Sequence, residues 1–290
     1  MVPLSQQEYQ LFQRYIADKC GIALDTSKAY LVESRLAKLL IDSQCDSFSE
    51  LFALLESHSD ANIETRVIDA ITTNETYWFR DPGSWQMITT IWLPQKIAAI
   101  QEQKNKVDQR NQKIRVWSAA ASTGQEIYSL IILISEYLKN HHITSVSLDD
   151  FEFLATDIST HVLSIARRGH YDPITIMRGL KPELRDAYFN RIGSSWVLNE
   201  DYRKRVRFEP FNLQNSFLLL GKFDLVFCRN VLIYFTDALR SDIYKKTAQV
   251  LKPQGVLLIG AAEIYYPMDD YFLKNITSDG TYFTVKEEAK

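Results

Sequence analysis

The segment ITTNETYWFRDP (71–82) combines polar side chains with three consecutive aromatic residues, Tyr77, Trp78 and Phe79, directly before Arg80. A guanidinium group binds planar anions through two parallel hydrogen bonds, so an arginine flanked by aromatic rings beside a cleft is a good clamp for a carboxylate. The alternative interpretation is a junction between a helix and a linker, which also needs polar caps and buried aromatic residues. The pattern makes Arg80 a candidate for binding a carboxylate.

A stretch of small residues, SAAASTGQE (118–126), follows an apolar segment that predicts a strand. Small side chains and Gly124 let the backbone pass close to a ligand, and the next helix presents free N–H groups at its start. The same composition also suits tight packing at a turn between a strand and a helix. The stretch lacks the glycine patterns that bind dinucleotides or triphosphates, so a cofactor without phosphate groups fits it better.

A single acid ends the second predicted strand, FEFLATD, at Asp157. In a sheet of parallel strands, an acid at this position commonly accepts hydrogen bonds from ribose hydroxyls. Its alternative role is to cap the helix that begins near Ser159, which is a frequent use of aspartate. Together, Gly124 and Asp157 favour a nucleoside as the ligand.

The third predicted strand ends in FCRNVLIYF (227–235), where Arg229 and Asn230 follow the apolar residues directly. Polar side chains at this point are unusual for packing alone, and Tyr234 lies about one helical turn further on. We therefore include these three residues in the candidate site. Cys228 is predicted to be a small buried apolar residue rather than a nucleophile.

The order of predicted elements explains how these residues could meet. From residue 113 onward, short apolar segments alternate with amphipathic helices, and the segments at 255–263 and 281–287 again have strand character. This alternation predicts an α/β fold with a mostly parallel sheet covered on both faces. Ligands of such sheets bind at the carboxyl ends of the strands, so we expect the candidate residues to gather there.

Three other regions depart from this alternation. The first seventy residues show only helical spacing, which predicts an all-α N-terminal domain (1–73) before the α/β domain (74–290). Between about 171 and 207 the pattern becomes irregular, and WVL and VRF are short strand candidates, so we predict a small inserted antiparallel piece. The polar stretch 101–113 is predicted to be an exposed connection into the first strand.

Composition limits the partners and the compartment. A net charge of −3 and a pI of about 6.0 argue against nucleic acid as the main partner, because phosphate binding usually needs a basic excess. The three distant cysteines form no CxxC pair, so a reduced cytoplasmic setting is the simplest interpretation. Neither a signal peptide nor an apolar run long enough to span a membrane is found, so we expect no direct membrane insertion.

Five blocks of the sequence resemble, in order and spacing, those of the CheR-type chemotaxis receptor methyltransferases: TTNETYWFRDP, SAAASTGQEIYSL, ATDIS, FNLQ and FDLVFCRNVLIYF. The resemblance covers nearly the whole chain. It implies a Rossmann-like class I methyltransferase domain with a small antiparallel β-subdomain, preceded by an all-α domain. The implied cofactor is S-adenosylmethionine, with S-adenosylhomocysteine as product and no metal. The implied substrates are glutamate side chains of methyl-accepting chemotaxis receptors, and a monomer is expected.

The same resemblance implies roles for individual residues. Asp157 would hold the ribose, with the Asn212–Leu213 pair near the adenine. Arg80 and Glu126 would address the methionyl end, and Tyr234 would stand beside the departing methyl group. The residues implied to contact the cofactor are Asn74, Thr76, Arg80, Glu126, Asp157, Asn212, Leu213, Arg229 and Asn230, and those implied in catalysis are Arg80 and Tyr234.

The implied reaction explains why no catalytic His or Cys pair is evident. A glutamate side chain has a reference pKa of about 4.3, so it is ionised at neutral pH and needs no general base to become a nucleophile. The reaction instead needs in-line placement of the reacting atoms, and Arg80 or Arg229 could orient the incoming carboxylate.

How the receptor is held depends on two further features. The second N-terminal helix carries Lys28, Arg35 and Lys38, which the resemblance places against the acidic methylation region; the alternative is an ordinary solvated helix face. The region after Tyr188–Phe189 is several residues shorter than in relatives that bind a C-terminal receptor pentapeptide. We therefore predict that this chain does not depend on such a tether.

Two alternative functions are less well supported by the residues. Methyltransferases for nucleic-acid bases usually carry an Asn/Asp-Pro-Pro-aromatic element or a Pro-Cys nucleophile, and neither occurs in the sequence. A signalling adaptor that binds the cofactor without catalysis would have less need of Arg80, Asp157, Asn230 and Tyr234. A methyltransferase for another protein also remains an alternative.

Overall fold

The structure is a computed structural model that describes residues 2–57, 60, 62–106, 112–263 and 268–286. Its N-terminal part is helical, as predicted, and the four helices bury one apolar face each in a core of their own. Phe12, Leu36, Leu51 and Val67 contribute one fully buried side chain from each helix to that core. The helices are α1 (Gln6–Cys20), α2 (Ala29–Asp42), α3 (Phe48–Glu56) and α4 (Ile63–Ile71).

The rest of the described chain alternates strands and helices. The strands are β1 (Ile114–Ala119), β2 (Phe151–Asp157), β3 (His170–Tyr171), β4 (Phe189–Ile192), β5 (Ser195–Leu198), β6 (Val206–Pro210), β7 (Phe223–Cys228), β8 (Leu251–Leu258), β9 (Phe272–Thr277) and β10 (Gly280–Val285). The helices are α5 (Pro82–Met87), α6 (Leu93–Lys104), α7 (Gln125–Asn140), α8 (Thr160–Arg168), α9 (Pro173–Met177), α10 (Pro182–Tyr188), α11 (Glu200–Arg203) and α12 (Asp237–Val250). Among the helices in the described residues, none combines the length and the apolar character needed to cross a membrane.

The main sheet has seven strands in the order β6-β2-β1-β7-β8-β10-β9. The first five strands run parallel to one another, and β10 runs antiparallel to both β8 and β9. The central strands β1, β2 and β7 are buried along most of their length, as expected for a sheet covered on both faces. This confirms the predicted α/β class and brings the carboxyl ends of β1, β2 and β7 side by side.

The inserted piece is a three-stranded antiparallel sheet in the order β3-β5-β4. The predicted strand at WVL lies within β5. The prediction that the VRF segment belongs to the same insertion is wrong, because this segment forms β6, which pairs in parallel with β2 at the edge of the main sheet. Val206 and Phe208 bury their side chains there. An alternation of three residues predicts a strand but carries no information on which sheet it joins.

The predicted exposed connection at 101–113 is partly helical. Helix α6 continues to Lys104, because Ile97 and Ile100 keep its inner face buried while Gln101 and Glu102 lie on the exposed face. Residues 107–111, including Val107, lie outside the described residues.

The helical part is joined to the sheet near the loop that follows β7. Ala23 N–H donates to Tyr234 O at 2.8 Å, and Asn212 Nδ2 donates to Lys19 O at 2.7 Å. Both bonds link the end of α1 to loops that leave the carboxyl ends of β6 and β7. The N-terminal helices therefore help to fix the position of those loops.

Candidate functional site

The carboxyl ends of β1, β2 and β7 open into a cleft. Loops from all three strands, the segment 72–80 and the end of α1 line it. Ten of the candidate residues named from the sequence line this one cleft, whereas Gly124 is not among its lining residues. The ten residues are Asn74, Thr76, Arg80, Glu126, Asp157, Asn212, Leu213, Arg229, Asn230 and Tyr234.

The backbone around the cleft adopts left-handed conformations that are uncommon for residues with a side chain. The φ angle is +59° at Ala120, +51° at Ser122, +58° at Asp81 and +60° at Asn230. Such conformations are costly, and they tend to cluster where a site needs a particular backbone geometry. At Gly260 an added Cβ would lie 2.5 Å from Asn230 Nδ2, so only glycine lets the chain pass this close to Asn230.

Arg229 is buried and holds two acids together. Its side chain is 1% exposed; Nη1 lies 3.0 Å from Glu126 Oε2 and Nη2 lies 2.9 Å from Asp81 Oδ2. Nη2 also donates to Arg80 O at 2.7 Å, and Ser118 Oγ donates to Glu126 Oε1 at 2.7 Å. Burial raises the pKa of Glu126, although the nearby Arg229 charge and the Ser118 hydrogen bond oppose that rise. Both Nη atoms of Arg229 are engaged in these contacts, so Arg80 is the better candidate of the two for orienting a substrate carboxylate.

Arg80 is the more accessible of the two arginines in the cleft. Its Nη1 donates to Glu75 O at 3.2 Å, and its guanidinium carbon lies 5.5 Å from the centroid of the Tyr77 ring. Its carbonyl oxygen accepts from Trp85 Nε1 at 2.7 Å, which fixes the backbone at this point. A guanidinium has five N–H donors, so these contacts leave donors for an incoming anion.

Asp157 ends β2 with both carboxylate oxygens turned to nearby backbone. Oδ2 accepts from Ser122 N–H at 2.8 Å and Oδ1 accepts from Ser159 N–H at 3.0 Å. The alternative role as a cap of α8 is wrong, because Ser159 Oγ accepts the capping bond from Val162 N–H. Burial raises the pKa of Asp157 against the effect of those backbone donors. Each oxygen keeps a lone pair for a hydroxyl donor in the cleft.

The two buried cysteines are poorly suited to nucleophilic chemistry. Burial raises the pKa of Cys20 to about 11 and that of Cys228 well above its ordinary value. A thiol is a good nucleophile only when it is ionised. This confirms the prediction that Cys228 is a buried apolar residue.

Sequence reasoning missed several residues that hold the site. Asp81 and Ser118 contact the Arg229–Glu126 pair. Glu263 is buried beyond β8, where its carboxylate accepts from Leu232 N–H at 2.8 Å and Gly260 N–H at 2.6 Å. Glu263 follows the apolar run GVLLIGAA, so the rule used for the other strand ends would have found it.

Two family models match the chain, and together they cover most of it. The model described as "CheR methyltransferase, SAM binding domain" matches residues 74–279, and "CheR methyltransferase, all-alpha domain" matches residues 7–72. The chain belongs to the CheR methyltransferase family. It is therefore a methyltransferase with an S-adenosylmethionine-binding domain, which confirms the family and fold that the sequence blocks predicted.

CheR proteins from several bacteria are similar over nearly their full length. The chain is 39% identical over 274 residues to chemotaxis protein methyltransferase 1 of Vibrio cholerae serotype O1, covering 93% of this chain and 94% of that protein. It is 37% identical over 280 residues to chemotaxis protein methyltransferase 1 of Pseudomonas aeruginosa, covering 96% and 98%. The corresponding protein of Borreliella burgdorferi is 33% identical, with coverage of 90% and 89%.

Proposed function

We propose that this CheR protein transfers the methyl group of S-adenosylmethionine to glutamate carboxylates of methyl-accepting chemotaxis receptors, and that it acts in the cytoplasm as a monomer. The observation that carries the proposal is the gathering of ten candidate residues in one cleft. Similarity to proteins named chemotaxis protein methyltransferases over more than nine-tenths of the chain supports the receptor as substrate.

The side chains of the cleft fit S-adenosylmethionine by their chemistry. Asp157 is placed to accept hydrogen bonds from ribose hydroxyls, and Phe211 and Leu213 supply apolar contact for an adenine ring. Glu126 offers a carboxylate for the methionyl amino group. When bound, this cofactor supplies an electrophilic methyl group on a sulfonium.

Positioning of the glutamate is the main task left to the protein. Because the carboxylate is already ionised at neutral pH, Arg80 needs only to orient it, and no base is required. Tyr234 lines the same cleft, and its backbone is held through its carbonyl oxygen by Ala23 N–H. Precise placement of reacting groups can supply about 7–11 kcal/mol of the barrier reduction.

The type of bond formed provides the direct test. With methyl-labelled S-adenosylmethionine and receptor-containing membranes, we expect label on the receptor that is released by mild base, as a glutamate methyl ester requires. A receptor whose methylated glutamates are replaced by alanine is the control and should stay unlabelled. Base-stable label, or label on nucleic acid, would support one of the other methyltransferase functions; binding of the cofactor without transfer would support an adaptor.

We also propose that methylation does not depend on a receptor C-terminal pentapeptide. β4 is one of the two edge strands of the inserted sheet, and only Gly193 and Ser194 separate it from β5. Such a short turn offers no loop to fold over a peptide laid against β4, which supports the proposal.

Removal of the last five residues of the receptor is therefore expected to leave the methylation rate unchanged. Calorimetry with the free pentapeptide should detect no binding tighter than about 1 mM. A micromolar dissociation constant, or a large loss of rate with the truncated receptor, would refute independence from the tether.

The sequence predicts a receptor contact through Lys28, Arg35 and Lys38, and the contacts of these three cations indicate which of them could bind an acidic segment. Arg35 donates to Ile71 O and, at 2.8 Å, to Thr73 Oγ1, so it fixes the start of the linker. Lys28 Nζ lies 3.6 Å from Asp25 Oδ2, whereas Lys38 is exposed. Docking of an acidic receptor segment on α2 itself would therefore rest mainly on Lys38, because Lys28 lies just before α2.

A further inference from the structure

Two arginines from distant parts of the chain approach the ring of Tyr77 at the edge of the cleft. The guanidinium carbon of Arg178 lies 4.7 Å from the ring centroid, and that of Arg80 lies 5.5 Å from it. A cation near the face of an aromatic ring is attracted by the ring quadrupole, which restrains both side chains. Because Tyr77 and Arg80 line the cleft, Arg178 lies at its rim.

The segment that carries Arg178 is firmly attached to the linker beside the cleft. Trp78 N–H donates to Arg178 O at 3.2 Å, and Trp78 Nε1 donates to Thr175 O at 3.2 Å. Gly179 has a φ of +91°, and a Cβ there would lie 2.1 Å from Trp78 O. The close approach therefore needs glycine, and it holds Arg178 at a defined position.

An exposed carboxylate of the chain itself contacts Arg178. Arg178 Nη2 lies 2.5 Å from Glu75 Oε1, and the two side chains are 50% and 60% exposed. The hydrogen bond and charge of Arg178 lower the pKa of Glu75, so this carboxylate is ionised at neutral pH. Exposed ion pairs add little to stability, so stabilising the fold does not account for a pair placed at the cleft rim.

We propose that Arg178 and Tyr77 form a subsite for a second acidic residue of the receptor, beside the glutamate that is methylated, and that Glu75 occupies Arg178 until the receptor displaces it. The inference rests on the proposed function. Arg80, next to the same ring, then orients the glutamate carboxylate that is methylated, while Arg178 binds the second acidic residue of the receptor.

The exchange makes the subsite selective for acidic segments. When a receptor carboxylate displaces Glu75 from Arg178, one charged hydrogen bond takes the place of another, so the displacement costs little free energy. A neutral side chain cannot make this exchange and leaves Glu75 in place. Ile174 and Met177, on α9 before Arg178, are 80% and 61% exposed and offer apolar contact to the same receptor segment.

Kinetics with a receptor fragment test the subsite. Arg178→Ala is expected to raise the KM for the fragment about three- to tenfold, with kcat and S-adenosylmethionine affinity unchanged. Glu75→Gln should lower the KM, because it removes the competing carboxylate. A fragment whose acids next to the target are changed to glutamine should have the same KM with the wild-type protein and Arg178→Ala.

Arg207→Ala is the matched control. Arg207 pairs with Glu209 at 3.0 Å on β6, the two side chains are 55% and 41% exposed, and neither residue lines the cleft. Its removal should leave the KM unchanged. An unchanged KM in Arg178→Ala, or an increase that persists with the neutralised fragment, would overturn the subsite while leaving the proposed function intact. A wild-type protein that does not label receptors at all would overturn both.

Discussion

Replacing Arg229 with methionine is expected to lower the free energy of unfolding by about 3 kcal/mol. The guanidinium is 1% exposed and is the cation that both Glu126 and Asp81 contact, at 3.0 and 2.9 Å. Methionine fills similar volume but leaves two carboxylates facing each other in a largely buried place. Removing one partner of a buried ion pair costs far more than removing an exposed one, because the charge left behind has lost both water and its partner.

Denaturant unfolding at neutral pH measures this loss, with Arg229→Lys as control. Lysine keeps the charge but lacks the fork that reaches both acids, so we expect an intermediate loss. An acid whose pKa is raised in the folded state binds more protons there than in the unfolded chain, so stability falls as pH rises. In Arg229→Met the pKa of Glu126 should rise further, because the Arg229 charge that opposes its rise is gone. The loss should therefore be complete above that higher pKa and shrink as pH falls through it. Equal unfolding midpoints for all three proteins at neutral pH would show that the network does not stabilise the fold.

The position of the cleft could be predicted from the sequence because it depends on a rule of topology. Parallel strands bring their carboxyl ends to one edge, so polar residues after FEFLATD and FDLVFC had to lie close together. Asp157, Arg229 and Asn230 meet there as expected. The helical N-terminal part was equally predictable, since its apolar spacing specifies helices without any knowledge of their neighbours.

The different roles of Arg80 and Arg229 could not be predicted from the order of the strands. Arg80 and Arg229 each lie among aromatic or apolar residues in the sequence, and either could have been the accessible one. What separates them in the structure is that Asp81 and Glu126 both pair with Arg229. Such a contact depends on the packing of distant segments.

The sequence also does not predict which partners short or irregular segments pair with. Val206–Phe208 has the same alternation whether it joins the insertion or the main sheet, and its partner β2 is about fifty residues away. Arg178 lies in an irregular segment with no strand end to mark it. Its place at the cleft rim follows from the close contact between Gly179 and Trp78, which joins residues about a hundred positions apart.

Replacing Arg80 with alanine is expected to lower kcat about 100-fold while weakening the affinity for S-adenosylmethionine much less. Its guanidinium retains free donors at the cleft, so its loss removes the group proposed to orient the glutamate carboxylate. Misplacement of reacting atoms by about 1 Å can cost two orders of magnitude in rate. Tyr234→Phe should also lower kcat, by about tenfold, because it removes a hydroxyl from the same cleft while keeping the ring and its packing.

Steady-state rates with saturating receptor, together with calorimetric titration of S-adenosylmethionine, separate the two effects. Arg80→Lys is the informative control, since it keeps a positive charge but cannot bind a carboxylate through two parallel bonds. If orientation of the carboxylate sets the rate, the kcat of Arg80→Lys should stay close to that of Arg80→Ala. If the positive charge alone sets the rate, Arg80→Lys should recover most of the wild-type kcat. Unchanged turnover in both Arg80→Ala and Tyr234→Phe would remove these residues from the catalytic assignment, and a loss confined to cofactor affinity would make them binding residues only.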